Sequence, residues 1–303
     1  MSAVETTISN PVAAGVLTSS HTFSGEAIKV RSLIKNYKGF EAVKGVDLDI
    51  AAGEIFGIIG PDGAGKTSVF QVLGGVMEPT SGVAEMYGKS TSEARSFVGY
   101  LTQAFSLYQD LSVAENLRYV GQLRLLSRRL IEERGDHYLQ MFDMARFKDR
   151  LAGSLSGGMK QKLALACALI AQPKILLLDE PTTGVDPVSR REFWDALAGL
   201  ANEGMTMVVA TPYLDEAERC HRVALMYDGM IRQTGTPAEI RDQLGLQRLE
   251  VRAANLGQLG EAEDILNRIP SINDVQRFGD RLDLMVANVE TGEKATREAL
   301  AAA

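Results

Sequence analysis

Residues Gly60-Pro-Asp-Gly-Ala-Gly-Lys66-Thr67 stand between an apolar run, EIFGIIG, and the start of a helical pattern. Buried strand, glycine-rich turn and helix, in that order, form the setting in which a chain cradles phosphate. Gly63 and Gly65 let the backbone turn N–H groups toward phosphate oxygens, and the helix N-terminus adds its positive dipole. Lys66 reaches the outer phosphates, and Thr67 offers a hydroxyl to Mg²⁺. The competing reading, a glycine-rich turn with a surface lysine, gives no reason for a strand and a helix to flank it. A loop of this kind commits the chain to an α/β fold, because the strand must lie within a sheet for its end to carry a site.

The rest of the chain follows that lead. AIKVRSLIKNY and EAVKGVDLDI alternate apolar and polar residues as half-buried strands do, and Gly53 turns the chain into EIFGIIG, a central strand. From Ser112 to Phe147 the apolar residues Val113, Leu117, Val120, Leu123, Leu139 and Phe142 recur at helical spacing, which predicts a helical insertion. A helix from Gly157, the strand KILLLD, a helix after Asp186, the strand MTMVVAT and a helix through DEAERC continue the alternation of a wound sheet. Asp228-Gly229 between two alternating runs signals a hairpin. Beyond Gln247 the pattern reads β-α-β-β-α, with a turn at Gly279-Asp280. The expected organisation is a mobile tail over 1–26, an α/β domain over 27–246 with a helical subdomain at about 104–160, and a small α+β domain over 247–303.

Composition narrows the partners. The net charge of −7, from 32 Lys+Arg against 39 Asp+Glu spread along 303 residues, provides no footprint for wrapping nucleic acid. Cys167 and Cys220 offer neither a disulfide framework nor a metal cluster and fit a reducing cytosol. The longest nearly apolar run, Leu163 to Ala171, is less than half of a bilayer span. The first 26 residues lack the basic and apolar regions of a signal peptide.

Asp179 and Glu180 end the strand KILLLD. Adjacent carboxylates there can divide the work of holding Mg²⁺ and polarising an attacking water, or can simply be a solvated strand end. Between them and the phosphate loop stands Leu155-Ser-Gly-Gly-Met-Lys-Gln161, whose Ser156, Gly157 and Gly158 place a hydroxyl, unobstructed N–H groups and a dipole at a helix start. With that segment the sequence resembles ABC ATPases over roughly residues 27–235. The resemblance implies a P-loop nucleotide-binding domain of ABC type. ATP contacts would come from Tyr37, stacking on adenine, from Gly60, Pro61, Asp62, Gly63, Ala64, Gly65, Lys66, Thr67 and Ser68, and from Ser156, Gly157 and Gly158 facing the nucleotide of a second subunit. It further implies Mg²⁺ at Thr67, Gln103 and Asp179, and catalytic roles for Glu180, Gln103 and Asp186. Without the resemblance, Tyr37 could equally pack and Gln103 cap a turn. One landmark fails: where the family carries a histidine after MTMVVAT, this chain has Pro212, which has neither an imidazole nor an N–H. His221 lies beyond a predicted helix and out of reach, while His21 and His137 read as solvated or packing residues.

FSLYQDLSVAENL, GVDP, YLDEAERC and Met159-Lys160 most resemble ATPases that work with ABC-2-type exporter permeases. The resemblance implies a transport ATPase on the cytoplasmic face of the membrane, paired with a second ATPase subunit and a separate permease. A regulatory nucleotide binder with a slow site of its own is the alternative that Pro212 raises. A soluble translation or DNA-repair ATPase would usually carry a second core, long coiled coils or zinc modules, and this chain has one core, no sustained heptads and two cysteines.

Overall fold

A computed structural model describes residues 6–7, 25–103, 107–244, 247–252, 259–278 and 281–302. The chain divides into two compact units, Leu17–Pro237 and a second made of Met1–Val16 with Ala238–Ala303. The division at Pro237 falls inside the segment that the sequence assigns to the first domain.

Strand β1 (Thr6–Thr7) belongs to the second unit; apart from it and Gly25 and Glu26, the expected tail lies outside the described residues. In the larger unit, β2 (Glu26–Tyr37) and β3 (Phe40–Ala51) pair antiparallel and bury alternate residues, as their sequence pattern requires. Next come β4 (Ile55–Ile59), α1 (Lys66–Leu73), β5 (Ser81–Met86), β6 (Lys89–Ser90), the short α2 (Thr91–Ala94) and β7 (Val98–Leu101). The helical insertion is α3 (Val113–Leu123) and α4 (Arg128–Met141), followed by α5 (Gly157–Leu169). Then β8 (Ile175–Asp179), α6 (Pro187–Asn202), β9 (Thr206–Thr211), α7 (Leu214–Ala217), β10 (Arg222–Tyr227) and β11 (Met230–Gly235) complete the larger unit, and α8 (Pro237–Leu244) falls, after its first residue, in the second.

Two sheets result. One has the order β3-β2-β5-β6 and is antiparallel. The other has the order β11-β10-β4-β9-β8-β7, and only its edge pair β10–β11 is antiparallel. Every residue of β4, β8 and β9 is buried, which is why these segments read as continuous apolar runs rather than alternating ones. Ile28 and Val30 of the antiparallel sheet, Phe56, Leu177 and Val208 of the parallel one, and Phe70 and Leu73 of α1 share one core. Asp228 and Gly229 both have positive φ, 48° and 74°, and join Tyr227 to its partner Met230 in a two-residue turn of type I′. The helix expected through DEAERC is shorter than the sequence suggests: α7 stops at Ala217, and His221 N–H already donates to Ile55 O at 2.9 Å, where the chain turns to lie beside β4. The second unit is a sheet of order β1-β12-β14-β13, from β12 (Gln247–Arg252), β13 (Ile272–Phe278) and β14 (Arg281–Val286), with α9 (Leu259–Leu266) and α10 (Val289–Ala302). Gly279-Asp280 lie outside the described residues. Among the described residues no helix is long and apolar enough to cross a membrane.

The helical insertion starts at a capping box. Ser112 Oγ accepts from Glu115 N–H at 3.2 Å, and Glu115 returns the bond to Ser112 N–H at 2.8 Å. Just inside it Asn116, fully buried, donates to the carbonyls of Tyr108, Leu111 and Ser112 and accepts from Tyr108 N–H at 2.9 Å. One amide thus closes the loop that leads from residue 107 into α3. Each stranded buried group costs about 1–3 kcal/mol. Asn116→Ala is therefore expected to lower stability by about 2 kcal/mol or more, read as an earlier urea midpoint with an unchanged slope.

Candidate functional site

The site begins where β4 ends. Ile59 is flanked by Thr211 of β9 and Leu225 of β10, so the chain leaves the sheet from a fully enclosed strand. Gly60 N–H donates to Thr211 O at 3.3 Å, and a Cβ on Gly60 would stand 2.1 Å from Met226 O. Gly63 and Gly65 hold φ of 79° and 104°, and at Gly65 a Cβ would meet Ala42 O at 2.4 Å. These glycines are therefore required by left-handed backbone and by close approach. Lys66 opens α1 with only 3% of its surface exposed. Its ammonium donates to Gly60 O at 2.8 Å and Pro61 O at 3.0 Å and pairs with Glu180 Oε1 at 3.2 Å, so all three of its protons have partners.

β8, two places along the sheet, delivers Asp179 and Glu180 to the same end. Thr67 Oγ1 donates to Asp179 Oδ1 at 3.2 Å, and the Tyr100 hydroxyl lies 3.4 Å from Asp179 Oδ2. Burial pushes the Asp179 carboxyl above the ordinary carboxylate range; the Thr67 hydrogen bond opposes that and the neighbouring Glu180 charge reinforces it. Burial likewise raises the Tyr100 phenol, with Asp179 adding to the effect. Glu180 sits at φ 51°, its N–H on Ala210 O at 2.9 Å. Its Oε2 accepts from Gln103 Nε2 at 2.8 Å and from the Thr183 hydroxyl at 3.3 Å. Lys66, Thr67, Gln103, Asp179 and Glu180 are thereby brought together. The paired oxygens of Thr67 and Asp179 suit a hard cation that takes oxygen ligands and keeps most of its water, which is what Mg²⁺ beside phosphates requires. Among the described residues no group of three or more His, Cys, Asp or Glu forms a cage for a metal.

Other sequence-predicted residues lie apart from that constellation. Tyr37 ends β2 with its hydroxyl on Gln71 Oε1 of α1 at 3.1 Å, and the Lys35 ammonium lies 5.3 Å from its ring centre. Ser156 caps α5 by accepting from Met159 N–H at 3.3 Å. A Cβ on Gly158 would strike Ser189 Cβ at 2.4 Å, so the start of α5 rests on the start of α6. Asp186 caps α6 through the N–H groups of Val188 and Ser189, and the Ser189 bond leads in drawing its carboxyl below the ordinary range. Pro212 follows β9 one residue after the carbonyl that holds Gly60. His221 Nδ1 accepts from Ile55 N–H at 2.9 Å, at the opposite end of β4 from the phosphate loop. His137 packs edge-on against Tyr138, and His21 lies outside the described residues.

A family model described as ABC transporter matches residues 43–183. The daunorubicin/doxorubicin resistance ATP-binding protein DrrA of Streptomyces peucetius is 36% identical over 246 residues, covering 80% of this chain and 74% of that one. The chain belongs to the ABC transporter ATP-binding proteins. Another relative, the probable multidrug ABC transporter ATP-binding protein YbhF of Escherichia coli (strain K12), is 38% identical over 270 residues, 87% of this chain but 46% of YbhF, so the chain spans about half of that protein's length. Among solved structures, CbiO1 of Clostridium perfringens, part of the ABC transporter complex CbiONQ, is similar at 28% identity and a TM-score of 0.66, covering 82% of this chain and 97% of that one.

Two residues of this ABC ATP-binding domain were absent from the sequence reading. Tyr100 is the polar-tipped member of the short strand β7 and meets Asp179 only once β7 and β8 are paired, while Thr183 follows Glu180 by three residues and reaches back to its carboxylate. The close approach at Gly60 yields a prediction independent of any ligand. Gly60→Ala forces Met226 O away from the loop and is expected to cost about 1–3 kcal/mol, as other overpacking changes do, measured by chemical denaturation.

Proposed function

We propose that this chain binds and hydrolyses Mg·ATP at an interface with a second ABC ATPase subunit, identical or related, and so drives export through a separate ABC-2-type permease on the cytoplasmic face of the membrane. The observation that carries the reading is the constellation at one end of β4 and β8 in which buried Lys66, Asp179 and Glu180 are joined by half-buried Thr67 and exposed Gln103. In this reading the loop from Asp62 to Ser68 presents N–H groups and the α1 dipole to the phosphates, and Lys66 exchanges the carbonyls of Gly60 and Pro61 for phosphate oxygens. Thr67, Asp179 and Gln103 hold Mg²⁺, which supplies charge neutralisation to the leaving and transferred phosphates. Glu180, steadied by Gln103 and Thr183, accepts the proton of the attacking water. Tyr37, anchored through its hydroxyl on α1, offers its ring to the adenine. Ser156, Gly157 and Gly158 at the start of α5 meet the nucleotide held by the other subunit, and Asp186, at the adjoining helix start, lies beside that contact.

Export is supported by the relatives DrrA and YbhF, named for daunorubicin/doxorubicin resistance and for probable multidrug transport. A permease segment has a place to bind on the helical insertion. There the hydroxyls of Tyr108 and Tyr119 meet at 3.0 Å, and Leu123 and Leu125 stand 65% and 93% exposed, the kind of apolar surface that accepts an amphipathic helix. Residues 247–303 are an appended α+β domain in this reading.

Lys66→Ala is expected to abolish tight Mg·ATP binding, whereas Glu180→Gln keeps binding but slows turnover and prolongs an ATP-bound dimer. Calorimetry and gel filtration read the two effects, and equal nucleotide affinity of Lys66→Ala and the unmutated chain would remove the loop from the site.

Pro212 supports a second reading, a subunit whose own site turns over slowly while its Ser156 segment completes a partner's site. Loss of one preorganised transition-state donor costs roughly 10²–10³ in rate in enzymes of another class, an upper guide here because Lys66 and Glu180 remain. Pro212→His is expected to raise the ATPase rate of the assembled transporter, and Ser156→Arg to lower it. A transporter indifferent to both changes would rule out the deficit at residue 212 and the contact across the interface.

A further inference from the structure

A loop that points its N–H groups at phosphate must point carbonyls away from it, and a carbonyl buried from water needs a donor. Ala64, at the centre of the loop, is 3% exposed, and Gly229 N–H donates to its carbonyl at 3.0 Å. Gly229 lies far away in sequence, at the tip of the β10–β11 hairpin. Its own carbonyl accepts from Lys44 N–H of β3 at 2.8 Å. A two-residue hairpin turn has no need of either bond, since closing β10 onto β11 leaves these groups to water. Here both are spent outside the hairpin, one on the phosphate loop and one on the antiparallel sheet. Lys44 Nζ also pairs with Asp228 at 2.7 Å, and Met226 O closes against Gly60.

We propose that the Asp228-Gly229 turn is a positioning element of the nucleotide site, holding the Ala64 peptide in the orientation that leaves the loop's N–H groups free for phosphate. The proposal rests on the nucleotide-binding reading of residues 60–67. Gly229 acts through Ala64 and touches no nucleotide. The φ of 74° at Gly229 is the feature to perturb, because the tight turn that carries its N–H to Ala64 O depends on it.

The test compares Gly229→Ala with Gly229→Asn in the full chain. Both add the same Cβ, which would stand 3.0 Å from Ala42 O, but asparagine tolerates a left-handed backbone and alanine does not. Two measurements are made: calorimetric affinity for Mg·ADP, which needs the loop but no hydrolysis, and amide hydrogen exchange without nucleotide at residue 229, bonded to Ala64 O, at Ala64, bonded to Pro61 O, and in β8. Gly229→Ala is expected to weaken ADP about five- to thirty-fold, the range set by the cost of left-handed backbone. It should speed exchange at residues 64 and 229 by a similar factor while β8 stays protected. Gly229→Asn should stay within about threefold of the unmutated chain in both. Unchanged affinity and exchange in Gly229→Ala, equal losses in both variants, or exchange that rises as much in β8 as in the loop would each overturn the proposal. An unmutated chain that fails to bind ADP would defeat the nucleotide-binding reading instead, and the exchange comparison would still decide whether Gly229 holds Ala64.

Discussion

A lysine ammonium with 3% exposure has to be paired, and everything at the head of the larger unit answers to that requirement. Lys66 has Glu180 and two loop carbonyls as partners, and Glu180 in turn has Gln103 and Thr183. Burying such a pair is favourable only if the remaining valences are satisfied, and removing one partner strands the other. The pair therefore demands that α1 and the end of β8 arrive at one place with little freedom. It also gives the nucleotide-binding reading a definite first step: phosphate must replace oxygens that Lys66 already holds, so the ammonium changes partners rather than gaining its first.

One strand makes that arrival possible. β9 lies between β4 and β8, and its last two carbonyls hold the two chemical segments: Ala210 O takes Glu180 N–H and Thr211 O takes Gly60 N–H. Parallel strands bring such ends to the same edge of the sheet, where crevices in wound α/β folds form. The complete burial of β4, β8 and β9 keeps this frame from shifting, and the left-handed Glu180 aims its carboxylate back over the sheet end toward Lys66. Site and core are thus built from the same backbone.

Much of this was legible because it is local. The Gly60 to Thr67 run announces strand, turn and helix within a few residues, and Asp228-Gly229 specifies its turn through the φ values that those two residues tolerate. The acidic pair at the end of KILLLD and the serine before Gly157-Gly158 are equally local signals. What escaped depends on distance in the fold. The Tyr100 hydroxyl reaches Asp179 only because β7 pairs with β8, and β7, four residues long, is too short to show a period. The length of α7 is set by the need to begin β10 beside β4, a constraint no helical propensity contains. The Arg190 guanidinium, 4.3 Å from the Tyr213 ring centre, likewise joins segments that sequence reading treats separately.

Pro212 shows why a departure from the family pattern can leave the architecture intact. The segment after β9 is held by groups on either side of the proline: Thr211 O binds Gly60, Thr211 Oγ1 accepts from Tyr213 N–H at 3.1 Å, and Tyr213 stacks under Arg190. Farther along, Glu216, buried in α7, accepts from the Thr182 hydroxyl just beyond Glu180. None of these bonds needs an N–H at residue 212, so proline, which has none, costs the frame no bond there. The substitution subtracts a chemical group from the end of β9 and nothing from its support. In the proposed reading, any deficit it brings would therefore appear in the reaction at the phosphate rather than in folding or in the positions of Lys66 and Glu180.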